Sequence, residues 1–350
     1  MPKTTLTGKV QTVLGPINPA ELGITLTHEH LLIDLVSYFK MPEEASEREW
    51  LDAPLTMDRL GKIGPRWGYS KDTRELLDEK VAIAEVLRFK HQGGGSVVDA
   101  TSIGIARDPL ALTRISRATG LHLIMGSSHY VPISYPVDME TRTEDDITEC
   151  IVRDITGGVG DTRVRSGIIG EIGNFWPSDE TQDRVLRASA RAQKETGAPI
   201  LIHPGFTEDS PPHILKVLFD SGADLTNVIM GHLDQFTNQK WFKDLAESGC
   251  FIEFDGWGVE DTSAGGYQDV ELTNDVQRME MYEFLIEQGF GDKLLVAQDV
   301  CMKYQYARYG GKSYDHILSN IVPRLRKRGW PDIQVNAMLI ENPKKILAFN

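Results

Sequence analysis

Eight short apolar runs recur along this 350-residue chain, and an amphipathic stretch of helical period follows each one. The runs cover 24–28, 96–101, 122–128, 166–171, 199–203, 228–232, 251–255 and 294–299. Each is continuous rather than alternating, as strands buried on both faces must be. The helical stretches span 78–92, 109–119, 144–156, 180–196, 211–221, 237–248, 275–289 and 315–327. Ser178-Asp179 and Thr143 stand at their N-terminal ends, and Glu144-Asp145-Asp146 puts acid at the positive end of a helix dipole. Gly120, Gly197, Gly222, Gly249 and Gly289 sit where helices should stop. Strand–helix alternation with short connections calls for a parallel sheet, and eight units predict closure into a TIM (β/α)8 barrel. No linker divides the chain, so residues 1–350 read as one barrel domain. Three segments fall outside the repeat. Lys9–Leu14 reads as a short N-terminal hairpin covering the barrel bottom, and 39–77, with Trp50, Trp67 and Tyr69, as an insertion at the active-site mouth. Pro331–Phe349 reads as a C-terminal helix packed on the outside.

Five of the runs end in metal-ligand side chains: His28 and His30, Glu171, His203, His232, and Asp299. Strand ends converge on one rim of a barrel, so these six meet there. His28 and His30, two apart, share a strand face and can grip one ion. A strand-end histidine taken alone is equally a hydrogen-bonded core residue. A lone carboxylate such as Glu171 is equally a salt-bridge partner, although it is costly to bury unpaired. The coincidence of six positions favours a two-cation hydrolytic site, with Glu171 between the ions and Asp299 both ligand and proton acceptor. The donors suit zinc, manganese, cobalt and iron alike.

The formal charge of −14 repels polyanions and argues against nucleic-acid partners. Cys150, Cys250 and Cys301 are odd in number and widely spaced, which fits a reducing compartment rather than a disulfide framework. There is no long apolar span and no leader pattern in Met1–Gly15, so the expectation is a cytoplasmic protein without membrane partners.

Other residues carry weaker signals. Glu29 points away from its neighbours and suits a supporting role. Asp234 either orients His232, faces substrate or caps a helix. His129 and Tyr130 end the third run, where Tyr130 reaches a substrate oxygen or simply packs. Arg107 and Asp108 read as an ion pair. Lys303 and Arg308, with Tyr309, form a cationic loop that suits an anionic substrate group or is merely solvated. Trp176 and Trp257 are candidate walls of an apolar pocket. Cys301 lacks a base and is not read as a nucleophile.

Several motifs together resemble the phosphotriesterase family of the amidohydrolase superfamily. They are Thr27-His28-Glu29-His30, Gly170-Glu171-Ile172-Gly173, Ile202-His203-Pro204-Gly205, Gly231-His232-Leu233-Asp234 and Gln298-Asp299. The likeness extends to Gly8–Pro16, Tyr309–Ile317 and Glu341-Asn342-Pro343, and is strongest to the phosphotriesterase-related, or resiniferatoxin-binding, subgroup. The resemblance implies a distorted barrel with two divalent ions, usually zinc. His28, His30, Glu171 and Asp299 would hold the buried ion, and Glu171, His203 and His232 the exposed one. In phosphotriesterases and related lactonases the bridge is a carboxylated lysine. The shorter Glu171 implies that the fourth strand or the metals shift to compensate.

The implied reaction is attack of a metal-bridging hydroxide on a small amide, lactone or ester, or a phosphoester, and the resemblance suggests an anionic N-acyl-taurine-like amide gripped by Lys303 or Arg308. Homodimers are frequent in the superfamily. Two rivals stand beside this reading. One is a TatD-type metal-dependent deoxyribonuclease, whose ligand pattern is similar. The other is a non-catalytic ligand-binding protein on the same scaffold.

Overall fold

The structure, a computed structural model, describes residues 6–39, 41, 44–63, 70–260 and 272–350. Trp67 and Tyr69 of the expected insertion lie outside the described residues. Eight parallel strands form the barrel: β1 Ile24–Glu29, β2 Gly94–Asp99, β3 His122–Met125, β4 Ile169–Gly173, β5 Ile200–His203, β6 Val228–Met230, β7 Phe251–Phe254 and β8 Leu294–Val296. They pair as two arcs, β1-β2-β3 and β4-β5-β6-β7-β8. Backbone hydrogen bonds link the arcs at both seams. Gly167 and Gly170 donate to Met125 and Ser127, and Asp299 donates to the His28 carbonyl.

The helices follow the capping chemistry. α1 Glu79–His91 and α2 Pro109–Thr119 start at Asp78 and Asp108, whose carboxylates accept from backbone amides of the first turn. Asp108 is therefore a cap, while Arg107 pairs with Asp154 at 2.8 Å, so the expected Arg107–Asp108 pair does not form. α3 Glu144–Thr156 opens on a capping box at Thr143, and α4 Glu180–Thr196 on Asp179. α5 Ser210–Asp220, α6 Gln239–Ala246, α7 Asp275–Glu287 and α8 Val322–Lys327 complete the ring.

The burial pattern explains the unbroken apolar runs. Val98, Ile124, Ile168, Leu201, Ile229, Phe251 and Leu295 form one cluster inside the barrel. Their immediate neighbours Val97, Leu123, Ile169, Ile200, Val228, Ile252 and Leu294 belong to the outer layer against the helices. Alternate side chains thus fill two apolar compartments. Val10 of the N-terminal hairpin (Val10–Thr12 and Gly15–Ile17) joins the inner cluster and plugs the bottom, as expected. The C-terminal tail does more than pack outside. Ile346 and Leu347 enter the same inner cluster, and Phe349 bonds back to Lys9, so tail and hairpin close the bottom together.

Among the described residues no helix is long and apolar enough to cross a membrane.

Candidate metal centre

All six expected ligands meet at the upper rim. Glu171 is the hub. Its Oε2 lies 3.2 Å from His28 Nε2, 3.2 Å from His203 Nδ1 and 3.6 Å from His232 Nε2. Its Oε1 lies 3.1 Å from His30 Nε2, which is 3.3 Å from Asp299 Oδ1.

Local irregularities aim these groups inward. Between Leu26 and Glu29, β1 carries one residue more than its β2 partner, and between Ile169 and Ile172, β4 carries one more than β5. Such bulges re-aim a side chain that simple alternation would turn to the other face. At the second bulge the Glu171 amide donates to Ala100 beyond β2, skipping the adjacent β3. Two glycines permit it: a Cβ on Gly126 would stand 2.2 Å from the Gly170 carbonyl, and one on Gly170 2.2 Å from the Leu201 carbonyl. His232 sits on the parity of outward-facing Met230, and its left-handed backbone (φ 52°) turns it inward.

The donor set fits cations. His28 Nε2, His203 Nε2, His232 Nε2 and Glu171 Oε2 are buried with no hydrogen-bond partner among the described residues. Three sets have ligand atoms close enough to share an ion: His28, His30 and Asp299; Glu171, His203 and His232; and His28, His232 and Asp255, which shares one histidine with each of the other two. Burial works against charge on Glu171, yet His28, His203 and His232 hold its carboxyl well below the usual range. Burial likewise opposes ionisation of Asp299, and His30, His232 and His28 outweigh it. Asp299 is the most open of the two carboxylates, 25% exposed against 2% for Glu171. Glu29 supports it from below by accepting the amides of Gln298 and Val300, 2.7 and 3.0 Å away, on either side of Asp299.

β7 and the residue that follows it supply two carboxylates that the sequence reading passed over. Asp255 lies 2.8 Å from His232 Nδ1 and 3.1 Å from His28 Nδ1, and its Oδ2 accepts the His232 amide. Glu253 approaches His28 Nδ1 at 3.4 Å and accepts from Thr27. The signal was present: Glu253 and Asp255 are two apart in an otherwise apolar run, the spacing that marked His28 and His30. Asp234 neither orients His232 nor caps a helix. It pairs with the fully buried Arg278 at 2.6 Å and accepts the Gly256 amide.

A cavity opens above the hub, lined by Ile33, Leu35, Tyr130, Phe206, Val259 and Tyr304 together with the ligands. Tyr130 reaches His203 Nδ1 at 3.2 Å. His129 lies behind it, buried outside the cavity. Cys301 borders the cavity, and burial pushes its thiol well up, consistent with no nucleophilic role. Trp176 packs edge-to-face against His213 instead of lining this cavity.

Along residues 8–347 the chain matches the model of the Phosphotriesterase family. The chain belongs to the phosphotriesterase family. It is 38% identical to an N-acetyltaurine hydrolase of Xenopus tropicalis over 348 residues, 99% of each chain. It is 37% identical to the human N-acetyltaurine hydrolase over 351 residues, again 99% of each. The crystal structure of a resiniferatoxin-binding protein from Rhodobacter sphaeroides superposes with a TM-score of 0.95 at 32% identity, covering 99% of this chain and 97% of that one. These likenesses identify a hydrolase with the phosphotriesterase-type TIM barrel, and the match falls on this family rather than on the TatD-type alternative.

Two expected substrate residues are not brought to the phosphotriesterase-type cavity. Lys303 pairs with Asp72 at 2.5 Å, and Arg308 lies over the Tyr309 ring with its amide bonded to Glu85. Both border a separate groove with Glu75 and Asp78. Their partners come from residues 72–85, more than 200 positions upstream, and this long-range pairing draws the cationic loop away from the mouth.

Proposed function

We propose that this protein hydrolyses small N-acyl amides, with N-acetyltaurine as the first candidate, at a centre of two divalent cations. His28, His30 and Asp299 would hold one cation, His203 and His232 the other, and Glu171 would be shared. The observation that carries the reading is the Glu171 carboxylate, buried among four imidazoles, three of which (His28, His203 and His232) carry an Nε2 with no hydrogen-bond partner among the described residues. The nitrogen and oxygen donors suit Zn2+, with Mn2+, Co2+ and Fe2+ as alternatives. Cations bound there would supply Lewis acidity and lower the pKa of water.

The protein's own groups account for the remaining chemistry. Asp299, ionised and opening onto the cavity, is placed to accept a proton from the attacking water and return it to the leaving amine. Tyr130 presents its hydroxyl beside His203, where a donor can stabilise negative charge on a carbonyl oxygen. Asp255 hydrogen-bonds the outer nitrogen of His232, and Asp255 and Glu253 stand 3.1 and 3.4 Å from that of His28, which orients both rings. The apolar wall of Ile33, Leu35 and Phe206 excludes water around the acyl group.

The test is release of acetate and taurine from N-acetyltaurine by the metal-loaded protein, alongside Asp299→Asn. Loss of a general base lowers turnover by about 100-fold or more. A variant that turns over like the parent would remove Asp299 from the scheme. A fully metallated parent inert toward N-acetyltaurine and toward a panel of N-acyl amides, lactones and esters would remove the hydrolase reading.

A further inference from the structure

Among the described residues, no lysine or arginine lines the catalytic cavity, so its described side chains offer no cationic partner to an anionic substrate group. A second cavity of about 190 Å³ adjoins the first and shares Val259, Gln298, Tyr304 and Gln305 with it. Gln298, directly before Asp299, forms part of both walls. The other side is built from Trp257, Gly258 and the loop Gly310–Ser313. This loop lies within the Tyr309–Ile317 motif, to which the proposed chemistry gives no task.

Most polar groups of this second cavity are already engaged. Gln298 bonds to the Ser313 carbonyl and the Ile317 amide. Gln305 donates to the Asp299 carbonyl and accepts the amides of Cys301 and Met302. Two donors remain. Lys312 is exposed and has no ion-pair partner among the described residues, while Gly258 leaves room for its stem: a Cβ there would meet Lys312 Cγ at 3.0 Å. Trp257 is 1% exposed, and its Nε1 is buried without an acceptor among the described residues. Exposed Glu260 also borders the cavity and opposes anions there.

We propose that this second cavity is the subsite for an anionic head group on the leaving amine, with Lys312 supplying the charge and Trp257 Nε1–H a directional donor. The inference rests on the amide-hydrolase reading and names its substrate class: N-acyl amines whose amine part carries a sulfonate or carboxylate. An oxyanion accepts from both an ammonium and an indole N–H, and a charge-assisted contact of this kind discriminates against neutral analogues.

Two measurements on the metal-loaded protein test it. The first compares kcat/KM for N-acetyltaurine with that for neutral N-acetylethanolamine. The parent should prefer the anion. Lys312→Met should lower the anionic-to-neutral ratio about tenfold, chiefly through KM, the loss of one charge-assisted contact. Lys312→Arg should restore most of it, and Glu260→Gln should raise it. An unchanged ratio in Lys312→Met would overturn the proposal. The second measurement is calorimetric binding of taurine alone to the parent and to Lys312→Met, which needs no turnover. Weaker binding by the variant supports the subsite even if neither amide is cleaved, in which case only the hydrolase reading falls. Equal binding, or no binding to the parent at millimolar taurine, overturns the subsite whatever the turnover.

Discussion

His129 offers a quantitative test of how the fold holds the residue beside it, Tyr130. The ring of His129 is buried, and neither of its nitrogens has a hydrogen-bond partner among the described residues. Burial first, and then Arg142 and Arg107, push its pKa down from 6.5 to about 3, with only Asp138 opposing. The folded protein therefore keeps this imidazole neutral while the unfolded chain protonates it. Stability from this group is complete above the unfolded pKa of about 6.5 and is lost as pH falls toward the folded value. Between pH 7.5 and pH 5.0 the linkage amounts to about 2 kcal/mol. For a barrel of this length, that is roughly 3 °C in Tm.

The perturbation is His129→Leu, which cannot titrate. Thermal unfolding followed by circular dichroism, at the two pH values and matched ionic strength, gives the fall in Tm for parent and variant. Other groups contribute equally to both, so the difference between the falls isolates His129. The variant should lose roughly 3 °C less than the parent. Parallel falls would show that this imidazole finds a proton or a partner in the fold, and the reasoning would fail.

Further outcomes follow from the same contacts. Asp255→Asn should weaken binding of a divalent cation by about 10- to 100-fold in a calorimetric titration, because His232 and His28 lose their shared outer acceptor; unaltered affinity would deny Asp255 that role. Gly126→Ala should perturb the site more than an ordinary surface change, since its Cβ would stand 2.2 Å from the Gly170 carbonyl beside Glu171; a variant with parental Tm and metal affinity would contradict the close approach. Leu201→Ala, inside the barrel, should destabilise by about 2–5 kcal/mol in urea titration, and a loss under 1 kcal/mol would deny the packed interior.

Much of the fold was legible because its causes are local. Thr143 and Asp179 accept from the first turns of α3 and α4, and Gly120 and Gly197 end α2 and α4 in the left-handed conformation, whereas Asp108, read as an ion-pair partner, proves to be the cap of α2. The eight strands announced themselves because both faces are apolar. The six ligands were legible because strand ends share a rim. Asp255 and Glu253 obey the spacing that revealed His28 and His30, but carboxylates in an apolar run draw less notice than a histidine pair. The bulges at Glu171 and in β1, and the diversion of Lys303 to Asp72, depend on partners distant in sequence, so no local pattern foretells them. The tail was misjudged for a related reason: the apolar residues 346 and 347 fit an outer helix equally well until the barrel bottom is seen to need closing.

The most direct measurement is the number of divalent cations bound per chain, by elemental analysis of protein dialysed against Zn2+ and freed of excess, for the parent and for Glu171→Ala. The account predicts two ions in the parent and at most one in the variant, because both donor sets converge on that carboxylate. A parent that retains one ion or none, or a variant that still retains two, would contradict it.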